Sequence, residues 1–535
     1  MTAIDRRSLL ISSAALAAAS AAGLRTAWGQ TPKDTVVMAK QIDDITSLDP
    51  AESFEYSGNE AIANMYDRLL DHDLKDVSKL NGVIAESWSV GADGKTYTFK
   101  LRAGLKFASG NPITAADVEY SFHRAVTLNK SPGFILTQFG LTKDNVKERV
   151  KATDPATVVI QTGEAVAPSF FYYCLTAMVA CVVDSKVVMA NVKDGDWGNG
   201  WLKANSAGSG PFKLVSWRAK EAYTLERNDG AIGEKAKVRR VVVRHIGEPA
   251  TQLLLITKGD ADYARNLIKD QLDAVAKDPN LALQSTRQGG ILYMALNQKH
   301  AVLSKPEVRE ALKWLVDYEA IEKNIVAGRY AVHQSFLPIG FLGAVADKPY
   351  KLDVDKAKAL LAKAGHAAGF EVSMDVRNVA PYPDIAQAVQ ATFGRAGIKI
   401  NLIPGDGRQV LTKYRARNHD IFIGQWGPDY LDPHTNAQAF AVNADNSENA
   451  ASKTLAWRNA WDNGDMTKAM LAAVRETDIK KRAAMYEAAQ KEFQKTSPFI
   501  IMFQQTESAA HRKNVSGFII GVNSDGNLYR GIVKS

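Results

Sequence analysis

Cysteine is almost missing from this chain: Cys174 and Cys181 are the only two in 535 residues. Two thiols alone do not build a zinc site. On one helix their Cα atoms would lie roughly 10 Å apart, beyond disulfide reach, so we expect two buried thiols, with a disulfide open only if the segment bends. Catalytic signatures are also missing. There is no H-E-x-x-H, no Walker loop, no G-x-S-x-G and no G-x-G-x-x-G, and the nine histidines are dispersed. Absent motifs do not exclude an enzyme, but they remove any positive reason to name one. No block of basic residues accompanies the net charge of +8, whose Lys and Arg are scattered. That pattern reads as a solvated surface and not as a nucleic-acid footprint. Beyond the N-terminus no apolar run is long enough to span a bilayer, and there is no internal repeat.

What is present begins at the N-terminus. Arg6 and Arg7 precede an uncharged run from Ser8 to Leu24, then Arg25 and Ala27-Trp28-Gly29. A charged start, an apolar stretch and a small-x-small site make a leader peptide. Its DRRSLL resembles the twin-arginine export signal, and we expect cleavage near Gly29 and an exported, soluble product. The length exceeds what one core usually holds, so two or three domains are expected. Val36–Ala39 reads as a strand, Glu52–Gly58 as a loop, and Asn59–Leu70 as a helix with Ile62, Met65, Tyr66 and Leu69 on one face. Tyr97, Phe99 and Leu101 alternate with polar residues after Gly91-Ala92-Asp93-Gly94, the pattern of a half-buried hairpin. Thr114 and Asp117 stand in capping-box spacing before Val118, Phe122, Ala125 and Val126. Ser304 and Glu307 repeat that spacing before Val308, Leu312 and Leu315. Further on, the helix from Asp355 stops at Gly365, Ala386–Phe393 is helical and Ile398–Ile403 is a strand. Alternating strands and helices imply an α/β protein with a parallel or mixed sheet.

The densest stretch is HDIFIGQWGPDYLDPH, His419–His434. Ile421-Phe422-Ile423 fits a buried strand, and ligands of α/β sheets bind beyond strand carboxyl ends. There, Asp429 beside Trp426 and Tyr430 could hold a cationic amine in an aromatic-walled site. Equally, Asp432-Pro433 could cap a helix with Trp426 in the core. Asp429, Asp432 and His434 could also be read as metal donors, and Asp194, Asp196 and Asn199 as a calcium-like loop, but neither set is complete.

Several stretches together resemble the extracellular solute-binding proteins of family 5, the dipeptide, oligopeptide and nickel-binding components of ABC importers. They are IAESWSVGADGKTYTFKLRAGLKFASGNPITAADVEYSF, Leu48-Asp49-Pro50 through Leu69, GSGPFKLVSW, KPEVREALKWLVDYEAI, DKAKALLAKAG and the Pro498–Phe503 strand. The resemblance spans essentially the whole mature chain in order. It implies a class II periplasmic binding protein-like fold of three lobes, two of them hinged around a buried ligand cleft. Lobe I would comprise residues 30–66, 207–288 and 500–535, lobe II the insert 67–206, and lobe III residues 289–499. The chain would cross near Gln288–Tyr293 and Pro498–Ile501.

The same resemblance implies site roles. Asp429 falls on the position that holds a peptide's α-ammonium group, and Asp432-Pro433 on a structural pair. Arg377, ahead of Pro381-Tyr382, is the candidate for the ligand carboxylate. Tyr56 and Ser57 fall in a loop whose backbone pairs with an extended peptide, and Glu55 is an extra acid that leaves room for a basic ligand. Trp426 and Tyr430 would wall the site or lie in the core. The implied activity is capture of a small peptide or peptide-like solute, without chemistry, cofactor or metal. The implied partners are ABC permease subunits with their ATPases, and the protein would be a periplasmic monomer. Rivals are an opine, a glutathione-like conjugate or a metal chelate as ligand. A chemoreceptor co-protein, or a secreted hydrolase on the same scaffold, would be a different role.

Overall fold

The computed structural model describes residues 31–73, 77, 79–450 and 452–535. The expected leader, residues 1–29, lies outside them. Eleven strands form one mixed sheet, its path running from Lys399–Gly405 through Glu371–Arg377, Ile421–Trp426, Leu281–Leu296, Phe499–Arg512, Tyr263–Ala264, Thr35–Lys40, Arg240–His245 and Ala222–Arg227 to Phe212–Arg218. The short strand Tyr330–Val332 adds to Phe499–Arg512. Ile421–Trp426 lies antiparallel to Leu281–Leu296 and parallel to Glu371–Arg377. Ile421 and Ile423 are fully buried, as their apolar run requires.

Two long strands, Leu281–Leu296 and Phe499–Arg512, join the halves of this sheet. Their pairing breaks between Arg287 and Ile291. Gly289 and Gly290 fill the break, where any side chain would meet close neighbours. A Cβ on Gly289 would stand 2.6 Å from Pro428 Cγ, and one on Gly290 would stand 2.3 Å from Gln505 Oε1. The interrupted ladder is a local weakness in an otherwise continuous sheet.

Several bodies of apolar core flank this framework among the described residues. One gathers Val36, Ile62, Tyr66, Tyr223, Val241 and Tyr529. A second covers both faces of the sheet half that holds Ile421–Trp426, with Leu312, Met374 and Phe393 on one face and Tyr293, Phe422 and Phe493 on the other. A third belongs to a separate antiparallel sheet, Ala85–Val90, Thr96–Leu101, Thr157–Gln161 and Val150–Asp154. There Tyr97 and Phe99 are fully buried, in keeping with their alternation. Helix Ala115–Leu128 covers it, and Asp117 Oδ2 accepts the Thr114 N–H at 2.9 Å, closing the expected cap.

Two expected helix starts are corrected. The helix expected over Asn59–Leu70 runs instead over Tyr56–Ala63. It begins earlier because Asp44 Oδ2 reaches across from another segment and accepts the Ser57 N–H at 3.0 Å. Ser304 does not cap its helix: Pro306 takes the first position, Lys305 is the N-cap, and the Ser304 hydroxyl donates to Ala301 O. Both cysteines are free and buried, and burial raises both thiol pKa values. No helix among the described residues is long and apolar enough to cross a membrane.

Candidate functional site

The carboxyl end of strand Ile421–Trp426 meets the N-terminus of helix Tyr56–Ala63 across a cleft beside the break in the long strands. Two adjoining cavities of about 330 and 230 Å³ lie there, sharing Tyr56, Gln425 and Ser524. Tyr56 is the bridge. It is 59% exposed, and its phenol lies against Gly427, where a Cβ would stand 2.3 Å from its oxygen.

The smaller cavity holds Trp426, Gly427, Pro428 and Asp429 on one side and Phe54, Tyr56 and Asn59 on the other, closed by Asn523–Asp525. The Asp429 N–H donates to Thr435 Oγ1 at 3.0 Å, which fixes the loop. Its carboxylate has no ion-pair or hydrogen-bond partner among the described residues. Burial pushes it up to about 7. Half-buried and unpaired, such a carboxylate gains from an incoming cation.

The larger cavity is floored by a charged network. Glu60 accepts Lys40 Nζ at 2.5 Å, Arg265 Nη1 at 2.9 Å and the Tyr529 hydroxyl at 2.5 Å, while Arg265 also pairs with Glu507. Burial alone would raise the Glu60 carboxyl; Arg265 and Lys40 outweigh it and hold it far below the usual carboxylate range. Gln425 Nε2 donates to Gln505 Oε1 and Gln425 Oε1 accepts the Tyr330 hydroxyl, both at 2.6 Å. Arg329 lines the same cavity, and among the described residues its guanidinium has no carboxylate partner. Lys40 and Arg265 are thus neutralised in place, and Arg329 is not.

Of the residues singled out from sequence, Asp429, Trp426, Tyr56 and Ser57 line the cleft. Ser57 does so from a helix, with its N–H on Asp44 and its hydroxyl donating to Gln41 O at 3.3 Å, so its backbone offers no strand edge. Tyr430 is corrected: it is 2% exposed, lines neither cavity, and packs its ring 5.7 Å from Phe170 of the separate sheet's core. Arg377 is corrected too. Its guanidinium lies 5.4 Å from the Tyr382 ring, and neither residue lines either cavity. The Glu55 carboxylate is occupied by the Thr46 hydroxyl and the Phe54 N–H. Asp432 forms a buried two-pronged pair with Arg482 at 2.7 and 2.8 Å, and burial lowers His434 to about 4, leaving its ring neutral. No metal-ligating group of three donors exists among the described residues. Asp196 is spent on the backbone N–H groups of Lys193, Gly198 and Gly200.

Sequence reasoning missed Asn59, Arg329 and Asp525. Asn59 sits one turn after Tyr56, and that spacing would have exposed it had the helix been started correctly. Arg329 arrives on a turn and Asp525 in the short 3-10 helix Ser524–Gly526, neither with a local signature.

A sheet whose two halves share strands at a break, with a cleft opening at that break, defines a class II periplasmic binding protein-like fold. Comparison with known proteins agrees. The model for bacterial extracellular solute-binding proteins, family 5 Middle, matches residues 79–448, and the chain belongs to that family. It is 29% identical over 518 residues to the "Probable D,D-dipeptide-binding periplasmic protein DdpA" of Escherichia coli K12, covering 96% of this chain and 97% of that one. It is 26% identical over 496 residues to the glutathione-binding protein GsiB of Salmonella choleraesuis, covering 91% and 92%. Among solved structures, the periplasmic binding protein DppA of Helicobacter pylori in complex with the peptide STSA superposes with a TM-score of 0.76 at 23% identity, covering 94% of this chain and 98% of that one.

Proposed function

We propose that this protein captures a small peptide or peptide-like solute in the periplasm and delivers it to the permease of an ABC importer. The observation that carries this reading is the unpaired, half-buried carboxylate of Asp429 in an aromatic-walled cleft. It takes the solute's ammonium group, with Trp426 and Tyr56 supplying ring faces. The solute's carboxylate end lies toward Arg329, the unpaired cation of the larger cavity. A charged anchor at each end fixes solute length, because the two stand at a set distance.

Residues 30–66, 207–288 and 500–535 act as lobe I, 67–206 as lobe II and 289–499 as lobe III. Closure bends the chain at the glycine pair Gly289-Gly290, where strand pairing is already broken. A solute favours the closed form by touching both sides, Tyr56 from one and Asp429 from the other. The names of the relatives, a D,D-dipeptide binder and a glutathione binder, support a peptide-like ligand with an amine and carboxylates. The test is calorimetry with alanyl-alanine and its N-acetyl derivative. Binding of the free amine and loss on acetylation is the expected pair of results; equal binding of both would remove the ammonium anchor.

A further inference from the structure

The smaller cavity carries a second carboxylate. Asp525 lines it together with Asp429, and no Lys, Arg or His does. Three of its lining side chains hold buried polar atoms with no partner among the described residues: Asn59 Oδ1, Trp426 Nε1 and Asp525 Oδ1. Burial raises the Asp525 carboxyl against the pull of His72 and Arg68, which do not line the cavity and also pair with Asp71, at 3.1 and 2.6 Å. The rings of Phe54, Tyr56 and Trp426 complete the wall. Asn59 Oδ1 and Asp525 Oδ1 are acceptors, and Trp426 Nε1 is a donor; leaving buried acceptors unpaired is costly, so the Asn59–Asp525 side of the cavity favours a guest that brings donors.

We infer that this cavity is a specificity subsite for a second cationic group on the solute, held by Asp525 and Asn59 while Asp429 holds the first. The solute class is then an amine whose neighbouring side chain is itself basic, such as a peptide beginning with lysine or arginine. The aromatic rings suit the aliphatic stem and charged head of such a side chain. This rests on the reading of Asp429 as ammonium anchor, and the probes separate the two.

The experiment compares lysyl-alanine with norleucyl-alanine, its uncharged counterpart of like length, by calorimetry on the mature protein after unfolding and refolding to remove resident solute. Lysyl-alanine is expected to bind about tenfold or more tightly, as a buried charge pair allows. Asp525→Asn should bring lysyl-alanine down to the affinity of norleucyl-alanine, whereas Asp429→Asn should weaken both. Equal affinities in the unsubstituted protein would overturn the second subsite and leave the ammonium anchor standing. No binding of either dipeptide would overturn both readings. Lysyl preference that survives Asp525→Asn would also overturn the assignment, and this comparison needs only a melting curve to show the variant is folded.

Discussion

Solute affinity should depend on pH through Asp429, in a direction set by its burial. The carboxyl titrates at about 7 in the solute-free cleft. An ammonium group pairs with the ionised form alone. Below pH 7 each unit removes about 90% of the remaining ionised form, so affinity should fall about tenfold per unit, or about 1.4 kcal/mol. At pH 5 binding should be about a hundredfold weaker than at the ionised limit. The upper limit comes from the solute, whose α-amino group loses its proton at roughly pH 7.7–8.0. The optimum therefore lies in a narrow window just above neutrality. Because the folded pKa is raised, the cost falls on the solute-free fold at higher pH. It is absent below about pH 4, where folded and unfolded chains are both protonated, and grows to about 4 kcal/mol above pH 7. A bound cation returns that free energy, so solute should raise the melting temperature more at pH 7.5 than at pH 5. Calorimetry with alanyl-alanine from pH 5 to 7.5, in buffers of different ionisation enthalpy, gives both the affinity and the proton released. Asp429→Asn should flatten the profile. Constant affinity across that range, or a slope that persists in the variant, would refute the reasoning.

Further outcomes follow from other contacts. Arg482→Met strands the buried Asp432 carboxylate and should cost about 3–5 kcal/mol in urea denaturation; an unchanged midpoint would show the pair is dispensable. Gly427→Val drives a side chain into the Tyr56 phenol. It should weaken alanyl-alanine binding about tenfold, the worth of one aromatic wall, and solution scattering should show a less closed particle with solute. Arg329→Ala should weaken alanyl-alanine about ten- to a hundredfold, as loss of a charge-assisted bond does, and should leave alanyl-alanine amide nearly unaffected. Equal losses for acid and amide would exclude Arg329 as the carboxylate partner.

Much of the fold was legible where the pattern is local. Ile421-Phe422-Ile423 announces a buried strand, Tyr97, Phe99 and Leu101 alternate as a half-buried strand must, and Gly365, at φ 83°, ends its helix as a glycine stop should. Where distant segments decide, the sequence misleads. Tyr56 enters a helix because Asp44 meets the Ser57 N–H, and nothing in Glu55-Tyr56-Ser57-Gly58 states that. Tyr430 sits in the same short motif as Asp429, yet Phe170 draws it into the core of the separate sheet. Arg377 stands on the expected strand, but its guanidinium lies over Tyr382 and Arg329 faces the cleft instead. Asp525 reaches the site on a segment docked there by the Gly289 N–H, which donates to Val522 O at 2.8 Å, and by the Asn523 amide, which reaches Pro428 O.

The most direct measurement is mass spectrometry of whatever solute leaves the purified protein on denaturation. A small molecule bearing a free amine, recovered chemically unchanged and rebinding through Asp429, is the expected result. A solute without an amine, or one rebinding equally to Asp429→Asn, would contradict a cleft that grips its guest by an ammonium group.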